Sequence, residues 1–237
     1  MESTGRASVA EFVGTFALIF FGGGSVILAK GGGLDLVGVA LAHGLVIAIM
    51  VSQMGHLSGG LFNPAIQVGL WVTGKMPTGR SVAYIAAQLA GAVVAGLLLK
   101  FLVPEQAFAV GGAGATGLAS DITSSKGILL EAVGTFFLVW AVFATAVDDR
   151  GPFGKTAGFT IGLTISFGIL AIGPWTGAAF NPARWFGPAV AAALTDGLSD
   201  GAWKDWWVWI VGPVAGGIIA AVGYWAVFLR GKEPATP

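Results

Sequence analysis

Gly55-His56-Leu57-Ser58-Gly59-Gly60-Leu61-Phe62-Asn63-Pro64-Ala65 and Gly173-Pro174-Trp175-Thr176-Gly177-Ala178-Ala179-Phe180-Asn181-Pro182-Ala183 are two copies of one pattern. In each, a glycine-rich approach leads to Asn, then Pro, then small and apolar residues. That is how a helix starts. Asn is a favoured N-cap, and Pro suits the first helical position because its missing N–H would be unpaired there anyway. Both starts lie in hydrophobic territory. The first helix can run only to about Trp71, because Thr73-Gly74-Lys75-Met76-Pro77 follows. Ten residues at ~1.5 Å each reach roughly 15 Å, half of a ~30 Å hydrocarbon core. Such a helix dips in and does not cross, and irregular backbone at that depth survives only when buried in protein or lining a wet cavity. Two half-helices, at about 63–72 and 182–194, would enter from opposite faces, meet at their N-termini and together make one crossing. The alternative is two unrelated turns at the starts of core helices; the shared frame, the half-length and the doubling argue against it.

Composition bounds the setting. The 237 residues are 55% hydrophobic and only 10% charged, with mean hydropathy +0.83. A soluble domain carries about a quarter charged residues, so this is an integral membrane protein, with the lipid bilayer as its partner. A formal charge of zero argues against nucleic acid. With no cysteine there is no disulfide, thiol metal site or Cys nucleophile, and no metal cluster or cofactor-binding loop is legible. Met1–Arg6 lacks a signal-peptide layout, so the apolar run that follows reads as a retained helix.

Long apolar stretches predict spans at about 8–29, 36–54, 81–102, 127–147, 156–172 and 206–229. The chain also repeats itself. Ala10-Glu11-Phe12-Val13-Gly14-Thr15-Phe16 returns as Leu130-Glu131-Ala132-Val133-Gly134-Thr135-Phe136, and the Asn-Pro-Ala triplets follow at nearly the same offset. Each half, about 8–102 and 127–229, has three spans and one half-helix, and an odd number of spans makes the halves face opposite ways. Inverted repeats with half-helix N-termini at the midplane are one known way to move solutes. The expected architecture is an all-α membrane protein in a single domain, 1–237. It has six transmembrane helices, two re-entrant half-helices, an extracellular connection at 103–126 and a disordered tail at 231–237.

Lys and Arg set the orientation. With the N-terminus inside, Arg6, Lys75, Arg80, Arg150, Lys155, Arg230 and Lys232 are cytoplasmic, and Lys30, Lys100, Lys126 and Lys204 lie outside. Both termini are therefore expected in the cytoplasm, and the short tails suggest a prokaryotic inner membrane. Trp203, Trp206, Trp207 and Trp209 read mostly as interfacial anchors. Gly91, Gly96, Gly212, Gly216 and Gly217 fall at helix-packing intervals.

The paired Asn-Pro-Ala motifs, the Glu-x-x-Gly-Thr-Phe repeats, Tyr84-Ile85-Ala86-Ala87-Gln88 and Asn181-Pro182-Ala183-Arg184 resemble the aquaporin (major intrinsic protein) family over nearly the whole chain. The residues suggest their own chemistry beside that resemblance. The side-chain oxygens of Asn63 and Asn181 can cap their helices, which leaves the amide N–H groups for the lumen. Each helix N-terminus carries roughly half a positive charge. One net positive charge repels a cation by about 4 kcal/mol at 4 Å with an effective dielectric near 20. Neutral solutes escape that cost. Arg184, a charge at membrane depth, is a functional residue by default, the alternative being an Arg that snorkels to the surface.

The resemblance puts Arg184 in the narrowest ring, near the outer mouth, together with His43, Ile169 and Ala178. Many water-selective members have an aromatic residue at the position of His43 and a His at that of Ile169. The combination found here is more similar to the plant vacuolar-membrane branch, whose members often pass ammonia or peroxide as well as water. A satisfied core histidine is the plain alternative for His43. His56 is expected to brace the first re-entrant loop. Leu61 stands where the family often has a second His, and Trp185 where it usually has a small Ser. No Asp follows Arg184, unlike in glycerol-conducting members. Glu11 and Glu131 are expected to accept hydrogen bonds from the loops leading to the half-helices, since buried charges need partners. The resemblance also implies a homotetramer with one pore per subunit.

The chain thus reads as a passive water channel excluding protons and ions, with ammonia or another small neutral solute as a second cargo. Other readings are a facilitator of ammonia, hydrogen peroxide or glycerol, and a secondary transporter. The transporter would need a coupling-ion site with only Glu11 and Glu131 available. An enzyme lacks a nucleophile–base pair, and an ion channel is opposed by the positive midplane.

Overall fold

The computed structural model describes residues 2–150 and 156–232, and all regular structure among them is helical. The six crossing helices are α1 (Thr4–Lys30), α2 (Leu36–Ser58), α4 (Thr78–Leu102), α6 (Ser124–Val147), α7 (Ala157–Thr176) and α9 (Val208–Leu229). Two short helices, α3 (Pro64–Val72) and α8 (Pro182–Ala193), start at the two triplets. Their nine and twelve residues give about 13 and 18 Å at ~1.5 Å per residue, so together they equal one crossing. Asn63 Oδ1 accepts the Ala65 N–H at 2.8 Å, and Asn181 Oδ1 accepts those of Ala183 at 2.9 Å and Arg184 at 3.3 Å. Each Pro occupies the first helical turn.

The spans expected at 36–54 and 156–172 run on to Ser58 and Thr176. Both helices end on a glycine in the left-handed region, Gly59 at φ 101° and Gly177 at φ 81°, the usual stop for an α-helix. Hydropathy fades before that stop because the last turns of α2 carry Gln53 and His56, which are exposed, and because Ser58 and Thr176, which are buried, end the two helices. The connection at 103–126 contains a short helix, α5 (Glu105–Val110), and a tight turn at Gly112–Gly114. Of the expected tail, residues 233–237 lie outside the described residues.

The halves interlock. Helix α1 lies along α4, and α6 along α9, the same pair in each half. Between halves α2 packs on α7, α8 on α4 and α3 on α9. The re-entrant helix of each half is therefore held by the last span of the other. Small residues mark the closest approaches. A Cβ on Gly216 would fall 2.0 Å from Ala132 O, and one on Gly91 2.3 Å from Phe12 O. Such contacts let membrane helices meet backbone to backbone. Large apolar side chains such as Phe101, Leu129 and Ile219 face outward while Glu11, Gln88 and Glu131 are fully buried. That inside-out distribution suits a lipid surround, and the chain is a multi-pass integral membrane protein.

Candidate functional site

Two buried carboxylates hold the loops that precede α3 and α8. Glu11, on α1, accepts from Ser58 Oγ (2.6 Å), Leu61 N (3.0 Å), Phe62 N (2.7 Å) and Gln88 Nε2 (2.8 Å). Glu131, on α6, accepts from Thr176 Oγ1 (2.6 Å), Ala179 N (3.0 Å) and Phe180 N (2.7 Å). A buried carboxylate is tolerable only with such donors. Tyr84 OH then donates to Ser58 O, and Trp209 Nε1 to Thr176 O, both at 3.1 Å. Trp209 is thus an internal brace, whereas Trp203, Trp206 and Trp207 are exposed. The clamps differ by one donor: four residues past Tyr84 stands Gln88, but four past Trp209 stands Pro213, which has none to give.

Phe62 and Phe180 are strained at matching places in the two turns, and Ala178, at φ 46°, is strained in the second as well. The φ values of the two Phe are 49° and 51°, a left-handed conformation that costs a non-glycine residue about 1–2 kcal/mol. Each N–H is bound by a glutamate, and each ring lies against the glycine three residues after that glutamate. A Cβ on Gly14 would come 2.1 Å from Phe62 Cε1, and one on Gly134 2.0 Å from Phe180 Cε1. That contact accounts for the Glu-x-x-Gly spacing in both repeats. Gly134→Ala is expected to destabilise the protein by about 1–3 kcal/mol, the usual effect of overpacking. A second change, Phe180→Leu, should restore part of the loss. Thermal unfolding in detergent of the single and double variants would show strict additivity if the contact did not matter.

The two halves then exchange amides. Asn63 Nδ2 donates to Phe180 O at 2.8 Å, and Asn181 Nδ2 donates to Phe62 O at 2.9 Å. This corrects the expectation that both amide hydrogens of each Asn are left for the lumen: one is spent across the repeat boundary, because the strained Phe carbonyl points there and needs a donor. One hydrogen per Asn remains, and both residues border the central space.

That space is narrow. It offers about 20 Å³ to water centres, bounded by Val51, Gly59, Asn63, Ala146, Asn181 and Arg184 among others. A single buried water needs about 10–15 Å³, so this space holds one or two waters at a time. Val51, Gly59 and Ala146 also border a 440 Å³ cavity at the mouth on the side of the termini. Arg184 also borders a 520 Å³ vestibule at the far mouth. The narrow space therefore shares walls with a wider cavity on each side.

Arg184 stands at the far end of the narrow part, 2% exposed. Its Nε donates to His43 Nε2 and its Nη1 to Gly114 O, each at 3.0 Å. His43 Nδ1 lies 2.9 Å from Val39 O. A carbonyl can only accept, so Nδ1 carries the hydrogen, and Nε2 presents a lone pair to Arg184. His43 is therefore neutral and oriented, a scaffold for the guanidinium. Ala178 borders the narrow space, and Ile169 the vestibule beside Arg184. Gly114 escaped the sequence reading. The glycine run at 111–114 was its only signal, and nothing in it indicates that the turn reaches Arg184. Trp185 packs behind Arg184, stacked on Trp209 with ring centres 6.3 Å apart. Leu61 leaves an apolar wall on the narrow space, its N–H given to Glu11.

His56 corrects another expectation. It is exposed and borders the mouth on the side of the termini, with no side-chain hydrogen bond among the described residues. Helix α2 continues through it, so it sits on a helical turn and not in the loop; Glu11, Ser58 and Tyr84 do the bracing. Asp148 borders the same mouth, bound by Arg150 Nε at 2.7 Å and Tyr224 OH at 3.0 Å. Arg150 beside it holds its carboxyl well below the usual carboxylate range.

Comparison with known proteins agrees with this geometry. The family model described as "Major intrinsic protein" matches residues 2–224. The chain belongs to that family. This major intrinsic protein is 44% identical to Aquaporin TIP4-4 of Zea mays, over 97% of this chain and 90% of that protein. It is 37% identical to Aquaporin AqpM of Methanothermobacter thermautotrophicus, over 94% and 98%. Among solved structures, the aquaglyceroporin from Plasmodium falciparum superimposes with a TM-score of 0.85 at 25% identity, covering 96% of this chain and 98% of that one.

Proposed function

We propose that this major intrinsic protein is a passive channel that conducts water in single file and rejects protons and ions, with ammonia as a second cargo. The exchange of amides where the two half-helices meet carries the reading. Each Asn retains one N–H beside the narrow space, and two such donors bind the oxygen of a passing water. That oxygen then cannot accept a proton from the next water, so the hydrogen-bonded file is broken where the two helix N-termini add roughly one positive charge. Relatives named as aquaporins support a water pathway. Asn63-Pro64-Ala65 and Asn181-Pro182-Ala183 form the central barrier, and His43, Ile169, Ala178 and Arg184 the selectivity filter. Glu11 and Glu131 position the loops. This is a channel and not an enzyme.

Stopped-flow light scattering of proteoliposomes under osmotic gradients tests the water reading. A rate equal to that of empty liposomes would overturn it. An ammonia reading is motivated by neutral His43 beside the small Ala178 and apolar Ile169. His43→Phe removes the acceptor for Arg184 Nε and is expected to lower ammonia flux several-fold more than water flux; equal losses would remove His43 from the filter. Trp185 in place of an Asp after Arg184 counts against glycerol as the main cargo.

The proposal includes cytoplasmic termini, with seven Lys and Arg on that side against four on the other, an extracellular 103–126 connection and a homotetramer of four separate pores. Cross-linking in the membrane should give a ladder ending at four. The relatives come from maize as well as from Methanothermobacter, so they lend no support to a prokaryotic inner membrane in particular.

A further inference from the structure

The far vestibule contains a charge that the filter does not use. Its ionisable border residues are Lys30, Asp35 and Arg184. Asp35 is partly committed: it caps α2, its Oδ1 accepting the Gly38 N–H at 2.8 Å. Lys30 is the last residue of α1, exposed to the vestibule, with Nζ 3.5 Å from Ala115 O. It lies over the same turn that serves Arg184. Gly114 O takes the guanidinium and the next carbonyl, that of Ala115, takes the ammonium. A Cβ on Gly112 would come within 2.8 Å of Lys30 Nζ, so the glycine leaves the place that the ammonium occupies. With Lys30 the vestibule carries two positive charges against one negative; without it the charges cancel.

We propose that Lys30 is a second cation-rejecting group, held on the Gly112–Ala115 turn ahead of Arg184, which lowers the concentration of cations reaching the filter. The inference rests on the channel reading. A mouth with a net charge depletes ions of the same sign. Because Lys30 is exposed, its field is screened by salt, over a length of about 30 Å at 0.01 M and about 3 Å at 1 M. Arg184, buried among its partners, is screened far less. The two groups therefore divide the work: Lys30 acts on the population at the mouth, and Arg184 on the ion that enters.

The test uses proteoliposomes of the full chain, with water flux and the decay of a potassium gradient measured on the same preparation. At about 10 mM ionic strength, Lys30→Gln is expected to raise the potassium leak about fourfold and Lys30→Glu more than tenfold, with Lys30→Arg unchanged. At about 1 M these differences should shrink to within twofold. Water flux should stay within twofold throughout. The same three changes in an Arg184→Val background, where the inner barrier is lowered, keep the order readable if the single variants leak below detection. A leak that follows side-chain size and not charge, or that ignores both charge and salt in both backgrounds, would overturn the inference while leaving the channel reading intact. An unaltered chain with no water flux above empty liposomes would overturn both.

Discussion

Replacing Glu131 with alanine is expected to leave no folded, conducting protein. Three buried donors, Thr176 Oγ1, Ala179 N and Phe180 N, would lose their only acceptor. At about 1–3 kcal/mol for each orphaned group, the loss is roughly 3–9 kcal/mol. A typical folded protein has only about 5–15 kcal/mol in total. Glu131 is fully buried, so bulk solvent does not satisfy these donors in its place. Glu131→Gln should be much milder: an oxygen at the position of Oε1 still serves Thr176 and Ala179, and only Phe180 N faces an amide. Size-exclusion profiles of detergent-extracted variants, followed by water flux, would check the order Glu > Gln > Ala. An alanine variant that elutes and conducts like the unaltered protein would show that the loop needs no clamp. Glu11→Ala should fail in the same way, with four donors released instead of three.

Arg184→Val is expected to leave a folded channel that has lost its discrimination. The change removes a full positive charge from the narrow path. A unit charge at about 4 Å with an effective dielectric near 20 is worth roughly 4 kcal/mol, and each 1.4 kcal/mol is about tenfold. Cation rejection could fall by up to roughly three decades, less what the half-helix termini retain. The side chain also fills the gap between His43 and the 112–115 turn, so glycerol entry should rise at least tenfold while water flux changes only a few-fold. Conductance and glycerol-driven reswelling of the same liposomes read both effects. Unchanged ion rejection with faster glycerol entry would mean that Arg184 acts by size alone.

Much of this is legible in the sequence. The doubled triplet announces two helix starts, and nine or twelve residues cannot cross a bilayer. A buried acid repeated at a fixed offset needs donors, and loop N–H groups were the nearest supply. What local pattern could not reveal were contacts set by the closing of the chain on itself. Asn63 reaches Phe180 and Asn181 reaches Phe62 across more than a hundred residues, and no spacing rule reports such a pair. Gly114 meets Arg184 only because the connecting stretch folds back toward the path, and a glycine run has the same appearance in a loop that stays outside. His56 was misread because hydropathy marks where a helix becomes polar, not where it stops. Pro213 opposite Gln88 shows that the repeats have drifted: the fold is symmetric, but the donors are not.

The crossed amides also bear on how the chain is born. When the first half has left the ribosome and entered the translocon, Glu11 can already gather its loop. Asn63 Nδ2 and Phe62 O still have no partner, because both belong to sequence not yet made. Each half is thus unfinished alone, and the central constriction closes only as the last third of the chain arrives. Two separately synthesised halves should therefore recombine into a working pore, each supplying what the other lacks, whereas either one by itself should be cleared by quality-control proteolysis.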